Sequence, residues 1–521
     1  MNRPLTLSLS LALTLSTIAA PRTHAEDLAL SMKGGGVGLG LDISVDGAFG
    51  EAYLLVMSTK YEATALPAPH ASPIDVGLDL LGFSVAVPGF VGLTPANLTY
   101  AIPEDPTLDG VVLNFQALHI EDLVFDGKSN PYRLTFSDPE VWHPTLEASP
   151  FQRAFPTATP LADGTVLLAG GSPTILPYDS ASAMFSSQPG AKTAERYHPA
   201  TESFEAIANM VQGRFRHRAT LLDDGRVLIT GGSNGLQALA SCEIYDPQTG
   251  TFSATGAMAQ GRIGHTATLL ADGRVLVAGG ATAGPNQLAI AQNALNTTEL
   301  YDPQTGTFSS GASMVFPRAF HTADRVSNGD VIFAGGFSNS GGSVFTTSSI
   351  MRFVPDAGVG KFWNLASLIT PRAGHGSAVL PNDRVMLIGG FSFDQADLVA
   401  TPDEPSIAQC EIVYATTSQV IPSATLSAQA AFPNVIVLDN DDLLVAGGQY
   451  GSGSLDQPMH VGSLYRAHVG NGGWFHTGNM NGGRIGGAGA PLPDGTGAIF
   501  HGFTFGAAFE NDGEIYQPEP K

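Results

Sequence analysis

The sequence predicts an all-β chain: a closed ring of seven four-stranded blades, preceded by a small β-sandwich-like domain. Three observations predict it. A double glycine recurs at Gly170-Gly171, Gly231-Gly232, Gly279-Gly280, Gly335-Gly336, Gly389-Gly390 and Gly447-Gly448, with His501-Gly502 in seventh place, at intervals of 61, 48, 56, 54, 58 and 54 residues. A turn precedes each: Asp163-Gly164, Asp224-Gly225, Asp272-Gly273, Asn328-Gly329, Asn382-Asp383, Asp441-Asp442 and Asp494-Gly495. Such residues tolerate the positive φ of tight hairpins. Short apolar runs fill the gaps, and a fixed period outranks local propensity as a guide to architecture.

The unit is clearest from Ala259 to Met314, with four strand-forming runs. Seven such units make seven blades around a central channel. The last copy reaches only a third strand, Glu514-Ile515-Tyr516. Its missing fourth strand is predicted near Val141–Leu146. There Trp142, Ser149 and Arg153 repeat the spacing of Phe252, Met258 and Arg262 to within one residue. An N-terminal strand would then close the ring and remove the exposed sheet edges that invite aggregation.

Three segments are expected. Residues 1–25 read as a secretory signal, with Arg3, an apolar stretch from Leu5 to Ala20, and Thr23-His24-Ala25 for cleavage near Ala25. Residues 26–138 hold no copy of the repeat. Alternating runs such as Leu41–Val45 and Ala52–Met57, broken by Asp46-Gly47, argue strands and hairpins. The passage from Ile102-Pro103 to Phe115-Gln116-Ala117 resembles accessory β domains of secreted bacterial proteins. Residues 139–521 are the propeller.

The chain carries a formal charge of −23, and losing residues 1–25 removes Arg3 and Arg22 and no acid, giving −25. That surface repels nucleic acid and anionic membranes, so neither is an expected partner. No run is long and apolar enough for membrane insertion, and the expected product is a secreted or periplasmic monomer. Cys242 and Cys410 occupy equivalent positions in repeats three apart, too distant for a bridge, so two free buried thiols are expected.

Four histidines share one repeat position: His217, His265, His321 and His375, each three residues after Arg214, Arg262, Arg318 and Arg372. Pro156, Pro433 and Gly487 fill that position elsewhere. If the ring serves a ligand, these eight residues bind it at one mouth, as a metal or anionic-sugar site. The alternative is that they bond backbone between blades. Metal ligands must converge at about 2 Å, which positions one blade apart do not do, and no metal is expected. A glutamate recurs before the third-strand tyrosine at Glu195, Glu243, Glu299, Glu411 and Glu514, in the copies that carry Arg153, Arg214, Arg262, Arg372 and Arg484. The sixth copy lacks both (Ala430, Ser463), and the fourth pairs Arg318 with Met351. Joint presence predicts a structural ion pair, because a buried charge survives only if partnered.

These repeats strongly resemble kelch-repeat proteins, whose blades run roughly 50 residues. The resemblance covers about three quarters of the chain and implies a kelch propeller. It also raises galactose oxidase, a copper radical enzyme on such a propeller. That family's pattern places a tyrosine directly before an inner-strand histidine, adds a second tyrosine and histidine, and crosslinks a cysteine. Here Arg216, Gly264, Phe320 and Gly374 precede the histidines, and the sole Tyr-His pair, Tyr197-His198, falls in a third strand. No cofactor or catalytic residue is therefore assigned. A sialic acid mutarotase of kelch type is a second analogy, resting on fold and compartment alone.

Weaker matches have plainer readings. Asp439–Asp442 and Glu510–Glu514 lack the spaced oxygens of a calcium loop and read as turns. Asn97-Leu98-Thr99 and Asn296-Thr297-Thr298 fit a glycosylation acceptor, which matters only in a eukaryotic secretory route. Gly34-Gly35-Gly36 lacks the lysine of a phosphate loop.

Between the second and third strands, Ser172–Thr193, Ala281–Thr297, Phe391–Gln409, Gln449–Gly462 and Phe503–Asp512 exceed the repeat minimum. Function tends to live in loops on a rigid scaffold. Tyr178, Phe393 and Tyr450 are candidate binding residues there. The leading expectation is a module binding a protein or glycan through this face. The alternatives are a carbohydrate-active enzyme on the same face and a structural envelope protein.

Overall fold

The computed structural model describes residues 142–174, 189–282, 287–392, 406–426, 429–439, 441–450, 457–458, 461–466, 473–503 and 510–518, together with the backbone of ten strands between Ala29 and Thr135. Residues 1–25 lie outside the described residues. The backbone divides into two compact units, the larger of which contains Arg133–Lys521.

The N-terminal strands form three sheets. Ala29–Gly34, Gly40–Asp46 and Ala96–Ala101 make one in that order. A five-stranded sheet runs Tyr132–Thr135, Val112–Glu121, Ala52–Ser58, Val85–Phe90, with Val124–Lys128 also on Val112–Glu121. Tyr61–Thr64 pairs with Ile74–Val76.

Seven four-stranded antiparallel blades follow. The third is representative: Thr266–Leu269 is innermost, then Val275–Ala278, Thr298–Asp302 and Thr307–Ser310. The second strand of each blade is short and mostly apolar, with four consecutive buried residues, as in Val166–Ala169, Val227–Thr230 or Leu443–Ala446. Each is covered on both faces, one by each neighbouring blade, and therefore shows no alternation. The cores accordingly lie between blades: one joins Leu228, Cys242, Ile244 and Met258 of the second blade to Val275, Val277 and Tyr301 of the third. Outer strands such as Thr251–Ala254 are mostly exposed.

The ring closes as the spacing predicts. Trp142–Pro144 supplies the fourth strand of the last blade, with Trp142 opposite Tyr516, His143 opposite Ile515 and Pro144 opposite Glu514. The Trp142 ring lies 5.4 Å from that of Tyr516, and its Nε1 donates to Thr477 Oγ1 at 3.1 Å. Beyond the strand, Thr145 N donates to Gly513 O at 2.8 Å and Ser149 N to Asn511 O at 2.7 Å. Both ends of the propeller sequence thus share one blade.

Cys242 and Cys410 are free and buried, and burial pushes both thiols up to about 11. Among the described residues no helix is long and apolar enough to cross a membrane.

Trp142 is 7 % exposed and its indole is held at both the ring edge and the N–H. Trp142→Ala is expected to destabilise the propeller by about 3–5 kcal/mol, the usual cost of deleting a buried aromatic side chain. Urea unfolding followed by Trp363 and Trp474 fluorescence measures it, and an unchanged midpoint would show that closure does not depend on this side chain.

Candidate functional site: the blade fasteners and the axial channel

The recurring arginines point into their own blades. Arg153, Arg214, Arg262, Arg318, Arg372 and Arg484 are all at most 1 % exposed. In Arg262, Nη1 donates to Gly279 O at 2.8 Å and Thr297 O at 2.9 Å, while Nη2 donates to Glu299 Oε1 at 2.9 Å. The same trio of acceptors holds Arg214 (Gly231, Ser241, Glu243) and Arg372 (Gly389, Gln409, Glu411). Each carboxylate is then consumed by the loop that follows the outer strand of the preceding blade. Val211 N and Gln212 N donate to Glu243, and Ile369 N and Thr370 N to Glu411. The predicted arginine–glutamate pair is thus a fastener within and between blades. Arg318, facing Met351 instead of a glutamate, keeps only Gly335 O, Ser349 O and Ser349 Oγ, and burial lowers its pKa to about 9.

The slot histidines face the blade before. Nε2 of His217, His265, His321 and His375 hydrogen-bonds Thr157, Thr230, Thr266 and Thr322 at 3.0, 2.9, 3.2 and 3.2 Å. Burial, reinforced by nearby arginines, drives their pKa values down, His375 to about 3, so the rings are neutral. The structure therefore brings the eight candidate residues into seams between sheets, not into one ligand mouth. Only the edges of His217, His321 and His375 reach the channel wall. Tyr178 and Phe393 lie outside the described residues, and of Tyr450 only the backbone is described.

The position just before each histidine is the one that reaches the axis, and the sequence reading considered it only as a place where a tyrosine is missing. Around the ring it reads Phe155, Arg216, Gly264, Phe320, Gly374, Phe432 and Gly486, all with positive φ between 51° and 66°. Backbone bonds run from one to the next: Phe155 N to Gly486 O, Phe320 N to Gly264 O, Gly374 N to Phe320 O and Phe432 N to Gly374 O, at 2.6 to 3.0 Å. The glycines are spatially required. A Cβ on Gly264 would come within 2.6 Å of Phe320, and one on Gly486 within 2.6 Å of Phe155.

The bulky members form a plug. The Arg216 guanidinium lies 4.0 Å from the Phe155 ring centroid and 5.4 Å from those of both Phe320 and Phe432. Because those rings come from the first, fourth and sixth blades, the cation sits on the propeller axis. Cation–π contacts of this kind contribute about 0.5–2 kcal/mol each. Phe337, Phe391, Phe503, Ile290 and Ala291 pack around the plug, the last two from the short helix Gln287–Gln292.

Inward of the plug, the first strands enclose a cavity of about 520 Å³. Its walls are narrow side chains, with Ala158, Ala219, Ala267 and Ala323 at one level. Arg218 projects among them, its Nε donating to His265 O at 2.9 Å. It is accessible through the channel yet surrounded by protein, and burial lowers its pKa. Asp324 stands where Thr220 and Thr268 stand in other copies. Ser377 Oγ donates to its Oδ1 at 2.8 Å, and burial outweighs that bond, raising the carboxyl to about 7.

The residues present do not fit the copper site of galactose oxidase. The axial positions hold Arg, Phe and Gly. Tyr197 is buried against Phe204 and Phe500 in an outer part of the first blade, and His198 pairs with Glu205 at 3.0 Å. Among the described residues no group of three or more His, Cys, Asp or Glu is placed to hold a metal ion.

The family model for the kelch motif matches residues 214–258, from the second blade's arginine to the methionine of its outer loop. The four-stranded sheet of that segment recurs seven times in the structure. The chain is a seven-bladed β-propeller that carries a kelch motif. Among solved structures, the kelch propeller is similar to a fungal alcohol oxidase of the AA5 family in complex with copper, at 18 % identity and TM-score 0.53 over 72 % of this chain and 76 % of that one. It is also similar to YjhT, at 16 % identity and TM-score 0.47 over 64 % of this chain and 99 % of that one. Among curated proteins none matches the sequence.

Two outcomes are expected of the fasteners. Met351→Glu supplies Arg318 with the carboxylate that its sister blades possess, so it should raise the melting temperature although it places an acid in the core; a lowered value would show that the fourth blade has repacked around methionine. Asp324 has a folded pKa of about 7 against 3.8 unfolded, so its ionised form opposes folding, and stability is lost as pH rises from about 4 to about 7. Asp324→Asn should therefore be more stable than the parent above pH 7, on the order of 1–2 kcal/mol, with the gap closing toward pH 4. Paired melting curves across that range measure it, and a gap independent of pH would exclude a raised carboxyl.

Proposed function

We propose that this kelch propeller is an exported module that binds a protein or glycan through the face bearing its long strand-two-to-strand-three connections. One observation carries the reading: where those connections begin. Ser172, Ser233, Ala281, Phe337, Phe391, Gln449 and Phe503, the first residue after each glycine pair, all bridge to the residue just before the axial plug position. All seven connections therefore start next to the plug, around one end of the axis. The recurring polar residues are spent holding blades together, so what remains free to differ between copies is this ring of connections. A rigid ring carrying variable loops is a common way to build a binding face. The leader-like residues 1–25 support export.

The test uses the full mature chain beside a variant in which residues 175–188 and 393–405, the stretches carrying Tyr178 and Phe393, are replaced by short Gly-Ser linkers. A glycan array and an envelope-fraction pull-down should give the parent a ligand that the variant loses, with both proteins melting alike. Blank results for the parent in both assays, or undiminished binding by the variant, would overturn the reading.

A further inference from the structure

We propose that the axial channel is a binding site for a small oxyanion, a carboxylate, phosphate or sulfate group, held by Arg216 and Arg218. The proposal starts from two departures within one blade. At the axial position six copies carry only phenylalanine or glycine, and the second carries Arg216. Two residues later the others read Thr157, Thr266, Thr322, Gly376, Asn434 and Ala488, and the second reads Arg218. Neither arginine is a blade fastener, which in this blade is Arg214. Nor does Arg218 do the work of the threonine it replaces. The bond to the next blade's histidine, made by the innermost strand elsewhere, is made here by Thr230 on the second strand. Two extra cations are thus placed where the repeat does not call for them.

Both face the same cavity. Arg216 lies on the axis at its closed end, within 5.4 Å of three phenyl centroids, and Arg218 enters from the wall one step below. The surrounding walls are mostly alanine, glycine and threonine, which leave about 520 Å³ open. That is ample for an oxyanion and part of its hydration shell. Among the described wall residues none is acidic. The nearby carboxyl, Asp324, accepts from Ser377 and is inclined to its neutral form. On a chain of net charge −23, a narrow channel carrying two guanidinium groups is a local reversal of sign. Low-dielectric walls focus such a field onto a small anion. Planar guanidinium forks match the paired oxygens of carboxylate and phosphate. Repulsion from Arg218 adds to burial in lowering the Arg216 pKa to about 9, and an anion between them would relieve both effects. With the loop end capped by the aromatic plug, entry is from the turn end, where Leu221, Arg325 and Val437 are exposed. The site is therefore separate from the loop face, and its fate does not depend on the binding role proposed for that face.

Inorganic phosphate, sulfate and malonate, each titrated into the mature full-length chain against sodium chloride at matched ionic strength, test the proposal by isothermal titration and thermal shift. At least one oxyanion should bind saturably and raise the melting temperature beyond chloride, and the order among the three identifies the class. Arg218→Thr installs the residue of three sister copies and should weaken binding about tenfold or more while leaving the melting temperature in chloride nearly unchanged. Lys361→Gln, on the outer surface, should change nothing. A response no greater than that to chloride, or an Arg218→Thr protein that binds as tightly as the parent, would overturn the assignment.

Discussion

A guanidinium cannot be carried into the interior of a β-protein without acceptors for its protons, and the architecture follows from how that requirement is met. Six blades bury an arginine at the seam between their second and third strands. Its Nη1 reaches the carbonyl 17 residues on, that of the first glycine of the pair or of His501, and the carbonyl at the start of the third strand. That double bond fixes where the second strand must end and the third begin, whatever the length of chain between them. The connection can then lengthen, as from Ala281 to Thr297, without moving the blade. Removing a partner from such a buried charge usually costs about 3–5 kcal/mol. This accounts for the sixth copy, which lost the arginine and the glutamate together.

The glycine pairs answer a second requirement, set by the neighbouring blade. A Cβ on Gly231 would lie 2.6 Å from Arg262 O and 2.7 Å from His265 Cε1, and Gly170, Gly279 and Gly335 face the same obstruction from the next copy. At these four junctions glycine is imposed by the next copy's arginine carbonyl and the histidine packed beside it. The seventh junction shows the converse. The first blade has Pro156 in the histidine slot, and the last blade carries His501 in place of the first glycine, at a φ of 57°. Its Nε2 meets Glu195 Oε1 at 2.8 Å, bringing an imidazole from the opposite side to a junction that lacked one. Glu195 in turn sits 3.5 Å from Arg153 and accepts from Ser149. Chain closure and side-chain complementarity meet at one carboxylate.

Much of this was legible in the sequence because it repeats. Six glycine pairs and His501-Gly502 gave the blade number, the spacing of Trp142 and Arg153 gave the closing strand, and the joint loss at Ala430 and Ser463 exposed the ion pair. What does not repeat was not legible. The axial position alternates between Phe, Arg and Gly, so it has no consensus, yet its logic is plain in three dimensions: seven side chains cannot all occupy one axis, and glycine makes room for each large neighbour. Asp324 and Arg218 give no signal for the same reason, each being the one charged residue at a position that is threonine in three copies and variable in the rest. The loop residues Tyr178 and Phe393 lie outside the described residues, so the face they were assigned to rests on where its connections start.

In a repeat protein the meaning of a polar residue depends on whether its sisters share it. Arg262, His265 and Glu299 look like a catalytic cluster when read alone, with three functional groups at fixed spacing. The hydrogen bonds they make run to carbonyls, a backbone amide and neighbouring hydroxyls inside the blade seams, and hold the sheets in register. Arg216 and Arg218 are the reverse case. They are isolated in the sequence, and the blade that carries them supplies its fastener and its threonine bond from other residues. Symmetry in such a ring marks the groups that fasten every blade alike, and a break in symmetry calls for a reason particular to its own blade.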